Sequence, residues 1–313
     1  MLRPVVLEVR GRPDLAEVFV ARLRPDAGSP VEFVDAIDPR RPREEKWVVT
    51  VSTQFGCPIR CAMCDSGGHY AGNLTADEIL AQIDYVVRRR APDGRIPCPK
   101  FKIHFARMGE PALNPAVIDV LERLPDLYDA PGLMACIPTV APRAANDWFN
   151  GLLDVKRRLY RGRFQLQFSI NSTDPAIRDR LMPVAKWDLD EIAAYGRRFF
   201  EPGDRRVVLN FALARGVPVD PGAVAAAFDP ERFVAKLTPV NPTEAAAASG
   251  LETVLSAAAP DAADRLVERF AALGFDAVVS IGEAEEIAIG SNCGQAVAGL
   301  RRARAVEQAA ASA

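Results

Sequence analysis

From residue 47 onward the chain alternates two textures. Short apolar runs of strand length, Val48–Ser52, Phe101–Phe105, Leu133–Ile137, Phe164–Ile170, Val207–Leu213 and Val234–Val240, are separated by stretches that mostly read as helices. Apolar strands spaced by helices describe an α/β fold with a parallel sheet covered on its outer face. Six such units fit a partial (β/α)6 barrel better than a two-domain enzyme. Residues 1–46 instead alternate apolar and charged groups, as in VVLEVRGR and VEFVDAI, and predict a small β-rich N-terminal extension.

One helix is marked by its own sequence. In LTADEILAQIDYVV, Thr75 followed by Glu78 makes a capping box, and Leu74 with Ile79 fits a hydrophobic staple. Ile79, Ile83, Val86 and Val87 then share one face at helical spacing. Later, Asp261–Leu273 is amphipathic through Leu266, Phe270 and Leu273 and stops at Gly274, and a strand at Ala277–Ile281 follows. Glu244–Gly250 reads as a soft loop, and the Ala-rich ending as a frayed helix or tail. The expected division is 1–46, the extension; 47–245, the barrel; and 246–313, a C-terminal strand and helix extension.

Composition narrows the class. The 313 residues are 49% hydrophobic and 26% charged, an ordinary globular balance with enough chain for a barrel-sized core. No stretch resembles a signal peptide or reaches membrane-spanning length, so a cytoplasmic location and no membrane partner are expected. A net charge of −2 lacks the basic excess through which nucleic-acid binders neutralise phosphate, which makes nucleic acid an unexpected partner. The basic runs at 39–46, 155–163 and 301–304 are short and read as solvated faces.

The candidate chemistry lies in VSTQFGCPIRCAMCDSG, where Cys57, Cys61 and Cys64 stand three and then two residues apart. Thiolates are the usual ligands of iron–sulfur clusters, and three on one loop can hold three irons of a [4Fe–4S] cube. The fourth iron is then left to an exogenous ligand. A closed zinc site asks for four ligands, and the only histidine close in sequence is His69. Disulfide pairing does not suit a large chain without secretory context. The loop lies between a strand and the well-marked helix, where barrel enzymes place their chemistry.

Five blocks, in order, resemble the RlmN/Cfr family of radical SAM methyltransferases, which modify an adenine of ribosomal RNA. They are STQFGCPIRCAMC with NLTADEILAQI, MGEPALN (Met108–Asn114), FSINSTDPAIRDRLMPV (Phe168–Val184), LTPVNP (Leu237–Pro242) and SNCGQ (Ser291–Gln295). The resemblance implies a [4Fe–4S] cluster on Cys57, Cys61 and Cys64, with Met63 packed beside it. It implies S-adenosylmethionine (SAM) held by Gly109 and Glu110, with Ser169, Asn171 and Asn241 as further contacts. A histidine is usual in the family where this chain has Asn171. Cys293 would accept a methyl group from one SAM, and radical cleavage of a second would activate that methyl for addition to an sp2 carbon, a form of covalent catalysis. A reductant such as a flavodoxin or ferredoxin is implied as partner.

Two features depart from the family. The cysteine that releases the tethered product, seven residues before the first cluster ligand, is replaced by Thr50, whose hydroxyl is a weak base and forms no disulfide. Cys136 is the candidate substitute, and Cys98 reads as packing. Only 56 residues precede Cys57, where the family carries an RNA-contacting domain. These departures and the charge lead to the expectation of a small-molecule substrate, a nucleoside among the options. The alternatives are hydrogen abstraction with Cys293 as hydrogen-atom donor, ribosomal-RNA methylation with another residue in place of the resolving cysteine, and a non-catalytic metal-binding scaffold.

Overall fold

A computed structural model describes residues 2–24, 29–38, 40–256, 258–282, 285, 289 and 294–311, with side chains described up to Ala303. Ten strands form one sheet in sequence order: β1 (Val5–Arg12), β2 (Ala16–Arg22), β3 (Val31–Ile37), β4 (Trp47–Thr50), β5 (Phe101–His104), β6 (Leu133–Thr139), β7 (Phe164–Ser169), β8 (Val207–Leu213), β9 (Phe233–Pro239) and β10 (Ala277–Val279). Strands β1 to β4 pair antiparallel, and every pairing from β4 to β10 is parallel. The six expected strands are β4–β9, and the expected C-terminal strand is the shorter β10. The N-terminal extension continues the barrel sheet through the β3–β4 ladder rather than forming a sheet of its own.

Helices α1 (Ala76–Arg90), α2 (Ala116–Arg123), α3 (Asn146–Leu159), α4 (Pro175–Leu181), α5 (Leu189–Phe199) and α6 (Pro221–Ala227) lie between the parallel strands. The apolar sides of the strands and helices close on one large core that includes Phe19, Ile79, Phe101, Phe149, Phe168 and Phe233. Thr75 caps α1 through the predicted box: its hydroxyl accepts from Glu78 N–H, and the Glu78 carboxylate accepts from Thr75 N–H. Leu74 and Ile79 are both buried, as the staple requires.

Ion pairs lock the extension onto α1. Arg89 and Arg90 reach Glu17, Arg90 also reaches Asp35, and Arg24 pairs with the capping Glu78. The loop at 244–250 departs from expectation, because Glu244–Ala248 is a short helix, α7. The amphipathic segment after it begins as a 3-10 turn and continues as α8 (Asp264–Ala271); Phe270 is buried, whereas Leu273 lies outside the helix and is exposed. The chain's last described element is a full helix, α9 (Gln295–Ala311), which packs on β2 and β3.

Candidate active site

The chemistry gathers where the parallel strands end, on the concave side of the sheet. One cavity of about 370 Å³ is lined by Cys57, Cys61 and Cys64 from the loop after β4, Arg107, Gly109 and Glu110 after β5, Thr139 and Val140 at the end of β6, Ser169 at the end of β7, and Asn241 after β9. Sequence reasoning placed seven of these ten residues in the site. Consecutive loops at the C-terminal ends of parallel strands converge because all strands point the same way.

The cysteine loop is held by backbone contacts at both ends. Val51 N–H bonds His104 O, and Thr53 and Gln54 N–H both bond Met108 O, which fastens the loop to the Gly109–Glu110 segment. At the far side Ala62 N–H bonds Leu181 O. Gly56 has φ +77°, and a Cβ there would stand 2.3 Å from His69 O, so the loop's return past its own start needs glycine.

None of the five described cysteines forms a disulfide. Burial raises the Cys61 thiol well above its ordinary pKa, followed by repulsion from Cys64, Cys57 and Glu110; burial likewise raises Cys64. Among the described residues no three His, Cys, Asp or Glu side chains converge tightly enough for a single metal ion. A cube presents a separate iron to each thiolate, so three thiols around one cavity suit a cluster better than mononuclear zinc. Iron would take the place of the thiol protons, since a bound metal requires the thiolate.

Glu110 is buried and accepts three hydrogen bonds: Thr139 Oγ1 at 2.6 Å, Ala112 N–H at 3.1 Å and Val140 N–H at 3.0 Å. Burial nevertheless outweighs these donors and pushes its pKa up to about 7. Gly109 has φ +105° and packs with no room for a Cβ against Thr53 and Gln54. Asn171 does not line the cavity. Its Oδ1 accepts from Ala212 N–H at 3.1 Å, and its Nδ2 faces Met182 Sδ. Met63 packs against the apolar group of Cys57, Ile59, Val140 and Met182.

Thr50 and Cys136 flank His104 on the ladder of β4, β5 and β6, and neither lines the cavity, whereas His104 does. Cys136 lies mid-strand, not at the strand end predicted, because β6 runs on to Thr139. Its sulfur accepts from Gln167 Nε2 at 2.8 Å. Cys98 is a core residue, as expected.

Cys293 lies outside the described residues, but its neighbour Gly294 is placed. A Cβ on Gly294 would stand 2.3 Å from Ser66 N and 2.6 Å from Asp65 C, so its backbone presses on the cluster loop one residue past Cys64. Glu32 of β3, fully buried, holds it there: its carboxylate accepts from Gly294 N–H at 2.5 Å and Val297 N–H at 3.0 Å, and pairs with Arg107 at 2.5 Å. Asp65 in turn accepts from the N–H groups of Glu244 and Ala245, and Thr243 donates to Met63 O, which explains why 244–248 is helical. Sequence reading missed Glu32, Arg107 and Asp65. A charged residue inside the apolar alternation of VEFVDAI was the one available signal for Glu32.

No family model matches the chain. It is 32% identical over 283 residues to a Desulfitobacterium hafniense (strain Y51) protein named "Probable dual-specificity RNA methyltransferase RlmN", covering 86% of this chain and 71% of that one. The chain belongs to the RlmN/Cfr-like family of radical SAM methyltransferases. The "Dual-specificity RNA methyltransferase RlmN" of Anaeromyxobacter dehalogenans (strain 2CP-C) is 30% identical over 265 residues, 82% of this chain and 67% of the relative. A radical SAM methyltransferase from Sphaerobacter thermophilus shares the fold, with a TM-score of 0.72 at 22% identity over 94% of this chain and 81% of that one. The protein is therefore a radical SAM enzyme of the C-methyltransferase type, whose family uses a [4Fe–4S] cluster and SAM. The scaffold alternative is set aside. The relatives' names also run against the charge-based expectation that nucleic acid is not a partner. Among the described residues no helix is long and apolar enough to cross a membrane.

Proposed function

We propose that this methyltransferase carries a one-carbon unit on Cys293 and delivers it to an sp2 carbon of a heteroaromatic substrate. The single observation behind this reading is the position of Gly294, clamped by Glu32 against Asp65 and Ser66 beside the cysteine triad. In this reading Cys57, Cys61 and Cys64 hold the cluster. When bound, the cluster supplies the electron that cleaves SAM, and SAM supplies both the methyl group and the hydrogen-abstracting radical.

The chain's own groups then divide the work. Glu110, anionic above its raised pKa, receives the ammonium of SAM, with Gly109 bringing backbone close to it and Ser169 and Asn241 as neighbouring polar contacts. Glu32 and Asp65 hold the Gly294 and α7 segments in register with the cluster loop. His104, kept neutral by burial and by the nearby Lys102 and Lys236 charges, lies beside Thr50 and Cys136 on the ladder and lines the cavity.

RNA is the substrate class that the relatives' names supply. A small molecule is the class favoured by the cavity itself, whose wall holds polar and cationic side chains deep between the strands. The deciding experiment incubates anaerobically cluster-loaded protein with methyl-labelled SAM and follows Cys293 by mass spectrometry. A methyl on Cys293, and loss of product in Cys293→Ala, is the expected result. An unmethylated Cys293 with product still formed overturns the reading. Label recovered in an RNA oligonucleotide or in a small heteroaromatic acceptor then separates the two substrate classes.

A further inference from the structure

Barrel interiors of this kind are ordinarily filled by bulky branched apolar residues. Here the concave side is polar. His104 on β5, Gln167 on β7, Asn210 on β8 and Lys236 on β9 all line the same cavity as the three cluster cysteines. Ladder register places Ser169 beside Asn210, and Asn210 beside Lys236, in one row across three strands. Lys102 lies two residues before His104 on β5.

Around Lys236 the neighbouring side-chain charges are mostly cationic. Burial, then repulsion from Lys102 and Lys46, lowers the Lys236 pKa against an opposing contribution from Cys136. Lys102 and Lys236 together, after burial, hold His104 neutral. Among the described residues neither lysine forms an ion pair, although Lys46 nearby pairs with Asp38. Glu110 shares the cavity, but in the reading above its carboxylate faces the ammonium of SAM while accepting from Thr139, Ala112 and Val140. A desolvated ammonium is costly unless a counter-charge compensates it, so Lys236 in the cavity wall, unpaired among the described residues and with the Lys102 charge acting on it, favours an anion.

We propose that the substrate of this enzyme carries an anionic group, carboxylate or phosphate, that docks on Lys236 in the sheet's concave side, with the Lys102 charge nearby reinforcing it. Gln167 and Asn210 supply amide donors and neutral His104 a ring N–H around it. The carbon to be methylated then faces the mouth, where the cysteine loop and Gly294 lie. This deepens the methyltransferase reading above and rests on it for the identity of the ligand as substrate. An internal base flipped from an RNA strand keeps its phosphates outside such a pocket, so the lysines select for a small anionic molecule.

Equilibrium binding to the anaerobically cluster-loaded full chain tests this without turnover. The probes are two pairs that differ in the anion: AMP against adenosine, and indole-2-carboxylate against indole. The expected result is at least tenfold tighter binding of the anion in one pair, which also tells phosphate from carboxylate, and loss of that preference in Lys236→Met. Methionine has similar length and removes a desolvated charge, so an undiminished Tm for this variant is expected and separates lost binding from lost folding. Lack of preference in both pairs overturns the proposal, as does a preference that survives in the Lys102→Met/Lys236→Met double variant. So does an RNA oligonucleotide that binds independently of Lys236 while neither pair is discriminated. The Cys293 mass measurement is separate: methylated Cys293 without anion preference removes only this inference, and anion preference with unmethylated Cys293 removes only the one-carbon reading.

Discussion

A Cβ on Gly109 would stand 2.7 Å from both Thr53 Oγ1 and Gln54 Cβ, at a φ of +105° that L side chains rarely adopt. Backbone strain of this kind costs of order 1–3 kcal/mol before any clash is counted. Gly109→Ala is expected to lower stability by at least that amount in denaturant melts and to weaken SAM binding, because Glu110 follows it directly. Glu110 makes a second residue-level prediction. Its folded pKa of about 7 lies above the ordinary 4.5, so its contribution to stability is full below about 4.5 and is lost as pH rises through 7. SAM affinity has the opposite sense: an ammonium prefers the anionic carboxylate, so Kd should rise as pH falls through about 7. Glu110→Gln should bind SAM more weakly and flatten that profile in equilibrium titrations across neutral pH.

At the scale of elements, the Glu32 clasp ties three parts of the chain together: β3, the segment after β5 and the start of α9. Removing one partner of a buried ion pair leaves an uncompensated charge and typically costs about 3–5 kcal/mol. Glu32→Ala should destabilise the protein by that order and reduce Cys293 methylation by a larger factor than cluster content. Iron counts and mass spectrometry on the same sample measure both. A variant that methylates Cys293 at the wild-type rate would show that the clasp does not position the Gly294 segment. By contrast, Arg302–Glu244, an exposed pair between α9 and α7, should contribute little when broken.

For the whole molecule, the cysteine loop is fastened to β5, to α4 and to α7, so whatever binds the three thiols stabilises the folded state as a unit. A ligand that binds only the folded chain adds about 3 kcal/mol at a hundredfold excess over its Kd, enough to raise Tm by several degrees. Anaerobic loading with iron and sulfide should raise Tm accordingly, and a Cys57→Ala/Cys61→Ala/Cys64→Ala variant should show no response in the same scan. The net charge of −2 describes the chain as a sum and conceals that Lys46 and Lys102 stand close enough to Lys100 and Lys236 to help burial lower the pKa of those two lysines. That averaging is why composition argued against an anionic partner while the cavity wall argues for one.

Periodicity and local chemistry were sufficient for what lies close in sequence. Six parallel strands, the Thr75–Glu78 box and the cysteine loop between β4 and α1 were readable because backbone pairing, capping and ligand spacing act over a few residues. The Glu32–Gly294 bond spans 262 residues, and helix α7 forms because Asp65, far upstream, accepts from its first N–H groups. Strand alternation likewise says that His104, Gln167, Asn210 and Lys236 each face away from their apolar neighbours. Only the curvature and register of the sheet decide that all four face one another. Long-range contacts of that kind depend on how the chain closes on itself, which no window of sequence contains.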